Sequence, residues 1–128
     1  MHLGRGIVVG ASLLAAALAV FGVTTVRAGT DTCFGHAVTI QGTAGPDVIV
    51  GTPGPDVIDG GLGADNIYGA GGDDFLMGES GVDSLSGDGG NDVLSLTDGE
   101  IDHGDGGSGV NRADADSNDV LANLSLGS

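Results

Sequence analysis

Six aspartates, Asp47, Asp56, Asp65, Asp74, Asp83 and Asp92, recur every nine residues through the middle of a 128-residue chain. A carboxylate can serve as a general acid or base, or it can give oxygen to a hard cation. Carboxylates aligned in a repeat read as ligands. No Ser, His and Asp constellation, phosphate-cradling loop or zinc motif accompanies them, so the chain is expected not to be an enzyme.

The aspartates belong to six consecutive nine-residue blocks from Gly42 to Ser95, of which Gly60-Gly-Leu-Gly-Ala-Asp-Asn-Ile-Tyr68 is typical. Asp is always sixth. The first place is always Gly (Gly42, Gly51, Gly60, Gly69, Gly78, Gly87), as is the fourth (Gly45, Gly54, Gly63, Gly72, Gly81, Gly90). The eighth is always Ile or Leu. Glycine permits positive φ and close approach of neighbouring chain. A branched aliphatic between two variable residues is a very short strand with one side chain pointing inward. Six residues of turn and three of strand, repeated, describe a flattened parallel coil. The expected fold is therefore all-β: a parallel β-roll, or β-helix-like solenoid, of nonapeptide repeats with a short N-terminal cap strand.

Over residues 42–95 the blocks resemble the RTX, or hemolysin-type, calcium-binding repeat family. The resemblance implies that two nonapeptides complete one circuit, so that turns starting at Gly42, Gly60 and Gly78 stack on one edge and those at Gly51, Gly69 and Gly87 on the other. It further implies Ca2+ between stacked turns, held by position-six carboxylates and by carbonyls of the glycine-rich turns. The implied pairs are Asp47 with Asp65, Asp65 with Asp83, Asp56 with Asp74, and Asp74 with Asp92, which makes about four sites. The donor chemistry agrees with calcium, since oxygen-only ligands suit a large hard cation with six to eight of them. Zinc would want His or Cys at ligand spacing, and His36, His103 and Cys33 show none. The first two blocks depart from the pattern, with Thr43 and Thr52 at position two and Pro46 and Pro55 at position five. Thr resists the positive φ that Gly, Asn or Asp would take there.

Residues 1–28 read as a secretory signal: Arg5 near the start, an apolar run from Ile7 to Val23, and Val26-Arg27-Ala28 as the cleavage site. An uncleaved anchor is the rival reading, because the run approaches membrane-spanning length. Nothing later is long and apolar enough to span. Loss of this leader leaves Arg112 as the one strong base beside eighteen Asp and Glu. Such a chain repels nucleic acid and anionic lipid, and also itself when compact. A divalent cation is the natural neutraliser. Residues 29–41 read as an N-terminal cap, with Ala37-Val-Thr-Ile-Gln41 as a strand and Ile40 one period before Ile49. Cys33, the single cysteine, reads either as an unpaired cap residue or as the link of a disulfide dimer.

Residues 96–128 read as degenerate repeats or as a C-terminal cap or tail. Counting by nine gives Leu96–Gly104, Asp105–Ala113 and Asp114–Ala122, with Asp119 and Leu121 back at positions six and eight. Leu121, Leu124 and Leu126 are placed to close the open end. The expected function is a secreted, extracellular calcium-binding module, structural or adhesive. A calcium-dependent surface-binding solenoid for a cell surface, polysaccharide or ice is the alternative, and an enzyme-associated accessory fragment a lesser one.

Overall fold

In the computed structural model, residues 19–21 and 32–126 are described. They form fourteen short strands and no helix. After β1 (Ala19–Phe21), β2 (Thr32–Cys33), β3 (His36–Ala37) and β4 (Ile40–Gln41) come β5 (Val48–Val50), β6 (Val57–Asp59), β7 (Asn66–Tyr68), β8 (Phe75–Met77), β9 (Ser84–Ser86) and β10 (Val93–Leu96). The coil then continues through β11 (His103–Asp105), β12 (Arg112–Ala115), β13 (Val120–Ala122) and β14 (Ser125–Leu126).

Alternate strands fall into two sheets. Sheet A runs β1-β5-β7-β9-β11-β13, sheet B runs β14-β12-β10-β8-β6-β4, and β2 pairs with β3 apart from both. Except for β1 on β5, every pairing within sheets A and B is parallel. Partners stand eighteen residues apart through the regular blocks, as in Ile49 beside Ile67 and Ile58 beside Leu76. Two nonapeptides therefore make one circuit of a parallel β-roll.

Position eight explains why the two sheets close on each other. The middle residue of each three-residue strand points inward while its neighbours point out. Ile49, Ile67 and Leu85 from sheet A meet Ile40, Ile58, Leu76 and Leu94 from sheet B in one core, all essentially without solvent contact. Each buried aliphatic contributes roughly 1.5–3 kcal/mol relative to exposure, so a single file of them makes a thin but continuous core.

The cap and the C-terminal part refine the sequence reading. The strand expected over Ala37–Gln41 is two strands: His36–Ala37 closes a hairpin with Thr32–Cys33, whereas Ile40–Gln41 enters sheet B beside Ile58 and Asp59. The break falls where pairing changes hands: Thr39 already exchanges hydrogen bonds with Val57 of the neighbouring strand, while Val38 and Ile40 are buried on either side of it. The hairpin lies on sheet B, where Phe34 and His36 flank the Phe75 ring at 5.7 and 4.3 Å between centroids. Cys33 is fully buried there and unbridged, and burial pushes its thiol up to about 12. A disulfide to a second chain would require the hairpin to lift. Of the leader read in residues 1–28, only Ala19–Phe21 is described, paired antiparallel with β5; its cleavage site lies outside the described residues.

Past Ser95 the uniform count of nine is off by one. Leu96 is an inserted residue that extends β10 and turns into the core. Gly104 then takes position eight opposite Leu85, and Ala113 takes it opposite Leu94. The volume these two omit is filled from the corners: a Cβ at Gly104 would lie 2.7 Å from Leu96 and 3.1 Å from Leu124. Leu121 and Leu124 pack against the core, while Leu126 stays exposed.

Truncating a central rung should therefore cost much more than truncating a turn. Leu85→Ala is expected to lose about 2–5 kcal/mol in chemical denaturation, and Val110→Ala, at a side chain 76% exposed, less than about 0.5 kcal/mol.

Candidate metal centre

Each position-six aspartate sits in the corner just before a strand, where its backbone N–H points along the stack to the next turn on the same edge. The receiver is the next position-six carboxylate. Asp47 N–H donates to Asp65 Oδ1 at 2.8 Å, Asp65 N–H to Asp83 Oδ1 at 2.8 Å, and Asp83 N–H to Asp102 Oδ1 at 2.8 Å. On the other edge, Asp56 N–H donates to Asp74 Oδ1 at 2.8 Å and Asp74 N–H to Asp92 Oδ1 at 2.9 Å. Two carboxylate ladders thus run along the two edges of the roll.

One oxygen of each accepting carboxylate, on Asp65, Asp74, Asp83, Asp92 and Asp102, is occupied in this way. The second is not: Oδ2 of Asp65, Asp74, Asp83, Asp92 and Asp102 is buried and receives no hydrogen bond. A buried carboxylate oxygen without a donor is costly. Loss of water pushes Asp65 and Asp74 up to about 7 and Asp83 to about 6. The backbone N–H on Oδ1 opposes that rise, and neighbouring carboxylates add to it. Asp92 and Asp102 are raised for the same leading reason.

Glycine at position one lets Oδ2 and a carbonyl of the next turn approach its Cα closely. A Cβ built on Gly60 would stand 2.6 Å from Asp65 Oδ2 and 3.1 Å from the carbonyl oxygen of Gly78 in the next turn. The equivalent atom on Gly69 would meet Asp74 Oδ2 and, at 3.0 Å, the Gly87 carbonyl. A carboxylate oxygen and a carbonyl oxygen therefore converge beside each of these two glycines. No position-one glycine has positive φ; the sequence reading gave these glycines two reasons, and proximity is the one that applies. Position four needs both in the later blocks, as at Gly81, with φ of 131° and the Gly63 backbone against its Cα.

No group of three His, Cys, Asp or Glu side chains converges among the described residues, so carboxylates alone do not enclose an ion. Backbone carbonyls must complete its shell, an all-oxygen set of the kind calcium takes. The Oδ2 atoms without a donor and the turn carbonyls beside them are the oxygen donors such a cation takes.

The six predicted aspartates all fall on the ladders, but they are not equivalent. Asp47 and Asp56 turn Oδ2 onto their own turns: Thr43 N–H and Thr52 N–H each donate at 2.6 Å to the Oδ2 of the aspartate four residues on. Position two is left-handed in the later blocks, at Gly61, Ala70, Glu79 and Asp88, and not at Thr43 or Thr52. Sequence reading also missed two ladder members. Asp102 follows Asp83 by nineteen residues, and Asn111 follows Asp92 by nineteen, accepting its N–H on Oδ1 at 2.7 Å. The signal was present for Asn111, since Gly106-Gly-Ser-Gly-Val-Asn-Arg-Ala-Asp114 is a complete block one residue out of step.

A parallel β-roll with two stacked carboxylate ladders and oxygen-lined turns defines a cation-binding repeat solenoid. The profile of the RTX calcium-binding nonapeptide repeat, with four copies, matches residues 41–76, 68–100 and 77–113, and the chain belongs to that family. No curated protein and no solved structure matches the chain.

Two outcomes test this centre. Gly60→Ala should destabilise the roll by about 1–3 kcal/mol, the range for forcing atoms into filled space, as read by thermal unfolding. In excess chelator the sign of the pH dependence follows from folded values lying above the ordinary carboxylate value of about 4. The contribution of Asp65, Asp74 and Asp83 is fully present below about pH 4 and is lost as the pH rises toward 7. Metal-free protein should therefore hold more strand signal at pH 4 than at pH 7, and an unchanged or inverted order by circular dichroism would contradict the burial assigned here.

Proposed function

We propose that the protein is a secreted calcium-binding module whose β-roll is held together by Ca2+ seated between stacked turns. The observation that carries this reading is the set of buried Oδ2 atoms without a donor, on Asp65, Asp74, Asp83, Asp92 and Asp102, four of them close against the position-one glycine of their own turn. Calcium supplies the positive charge that a chain with formal charge −15 and three Lys or Arg residues lacks. Ligation by position-six carboxylates and glycine carbonyls joins turns n and n+2, so binding the ion and stacking the turns are one event. With ion at a hundred times Kd, each site adds about 2.7 kcal/mol to the folded state.

Secretion rests on the leader read in residues 1–28. Extracellular calcium modules have affinities on the order of 10⁻⁴ to 10⁻³ M, a range in which the roll is loose at cytosolic calcium and ordered outside the cell. The role is structural rather than catalytic. A regular binding face for ice or polysaccharide has less behind it, because the outward residues of sheet A vary from Val48 through Asn66 and Ser84 to His103.

Far-UV circular dichroism of the protein without its leader, in chelator and then in millimolar calcium, is the direct measurement. Strand signal is expected to appear with the ion. Asp65→Ala together with Asp74→Ala, one on each edge, should abolish most of that response; a double variant that responds as the wild type does would refute the assignment.

A further inference from the structure

The two carboxylate ladders end differently from how they run. Inside each ladder a carboxylate has one oxygen on the backbone of the preceding turn and one oxygen open. At all four ends a protein group takes the place left open elsewhere. At the N-terminal end of the first edge, Thr43 gives Asp47 Oδ2 its N–H at 2.6 Å, and its hydroxyl lies 3.0 Å from the same oxygen. On the second edge Thr52 does the same for Asp56, at 2.6 and 2.9 Å. Each hydroxyl is itself held by a glycine N–H two residues on, at 3.2 Å.

The C-terminal ends are closed by other means. On the first edge Asp119 accepts Asp102 N–H on Oδ1 at 3.1 Å, and its Oδ2 accepts Asp116 N–H at 2.6 Å. On the second edge the carboxylate is replaced by an amide. Asn111 keeps the acceptor role on Oδ1, and where an aspartate would present a second anionic oxygen its Nδ2 donates to the Gly106 carbonyl at 2.8 Å. Neither Asp47, Asp56, Asn111 nor Asp119 has a buried side-chain oxygen without a donor, whereas Asp65, Asp74, Asp83, Asp92 and Asp102 each do.

We infer that the cation array of this chain is bounded: ions seat at Asp65, Asp74, Asp83, Asp92 and Asp102, and Thr43, Thr52, Asn111 and Asp119 close the ladder ends so that these turns order without an ion. The inference rests on the calcium reading above and changes its stoichiometry. The family resemblance counts Asp47 and Asp56 as ligands on a par with the rest; the hydrogen bonds take them out and bring Asp102 in. The physical reason is charge balance. A terminal turn has a neighbour on one side only and fewer carbonyls to complete an ion's shell, so hydrogen-bond donors from its own chain neutralise the end carboxylate more cheaply than an incompletely coordinated ion. The metal-independent N-terminal turns then offer the first interior turn a preformed surface to stack on, as end units do in stacked repeats.

Native mass spectrometry of the protein without its leader counts bound calcium at saturation. Asp102→Asn should lower the count by one, Asp47→Asn should leave it unchanged, and Asn111→Asp, which restores a second anionic oxygen, should raise it by one. Circular dichroism on the same samples confirms that each variant is folded in calcium; should Asp102→Asn not fold, the Asp47→Asn and Asn111→Asp pair decides alone. A calcium-loaded wild type in which Asp47→Asn loses an ion, or Asn111→Asp gains none, overturns the bounded array and leaves the calcium function standing. A wild type that takes up no calcium overturns both.

Discussion

The structure turns on a division of labour within one side chain. The position-six aspartate uses Oδ1 to accept the backbone N–H of the turn before it, as in the 2.8 Å bond from Asp65 to Asp83, and this fixes the spacing of the stack. Oδ2 is thereby pressed into a dry corner with nothing to receive. Neither half is separable from the other: the bond that aligns the turns is the bond that strands the second oxygen. A protein that stacks itself through buried carboxylates needs either protons or cations to tolerate the result, and a cation takes over that part as the pH rises above the raised values of Asp65 and Asp74.

The other columns of the repeat follow from that corner. Glycine at position one leaves room beside Oδ2, where even a methyl group would meet the carboxylate and the next turn's carbonyl. Left-handed backbone at positions two and four, as at Ala70 and Gly72, bends six residues tightly enough to aim their carbonyls along the stack. The Ile and Leu rungs hold the two sheets together in a single file, against five carboxylate oxygens buried without a donor. Hydrophobic packing sets the cross-section of the roll, and the edges decide whether it stands.

Much of this was legible in the sequence because it is periodic. A column occupied by the same residue in every block reports a constraint shared by every turn, which is how the aspartates, the glycines and the circuit of two blocks could be read. What escaped was aperiodic. The inserted Leu96 displaced the frame, so that a count of nine landed on Ile101 instead of Asp102, and the complete block at Gly106–Asp114 passed for decay. The shift is masked because the chain later drops a residue: Asp119 follows Asp102 by seventeen rather than eighteen, and the final Asp and Leu return to frame. The split in the Ala37–Gln41 strand was hidden for a different reason, since alternation alone does not say which neighbour a strand pairs with.

Thr43 and Thr52 mark the limit of reading a repeat by consensus. Against the family pattern they are defects, β-branched residues where glycine-like backbone is expected. In the structure they are donors: each keeps position two out of the left-handed region and brings its N–H to the carboxylate four residues on. Pro46 and Pro55 act in the same direction, because the residue before a proline is held extended, and Gly45 and Gly54 accordingly lack the positive φ found at Gly63 and Gly72. The two substitutions in each block thus specify a second turn type. It spends its hydrogen bonds on its own aspartate rather than leaving an oxygen for an ion, and it occurs where the stack has no preceding turn of the same kind to share one.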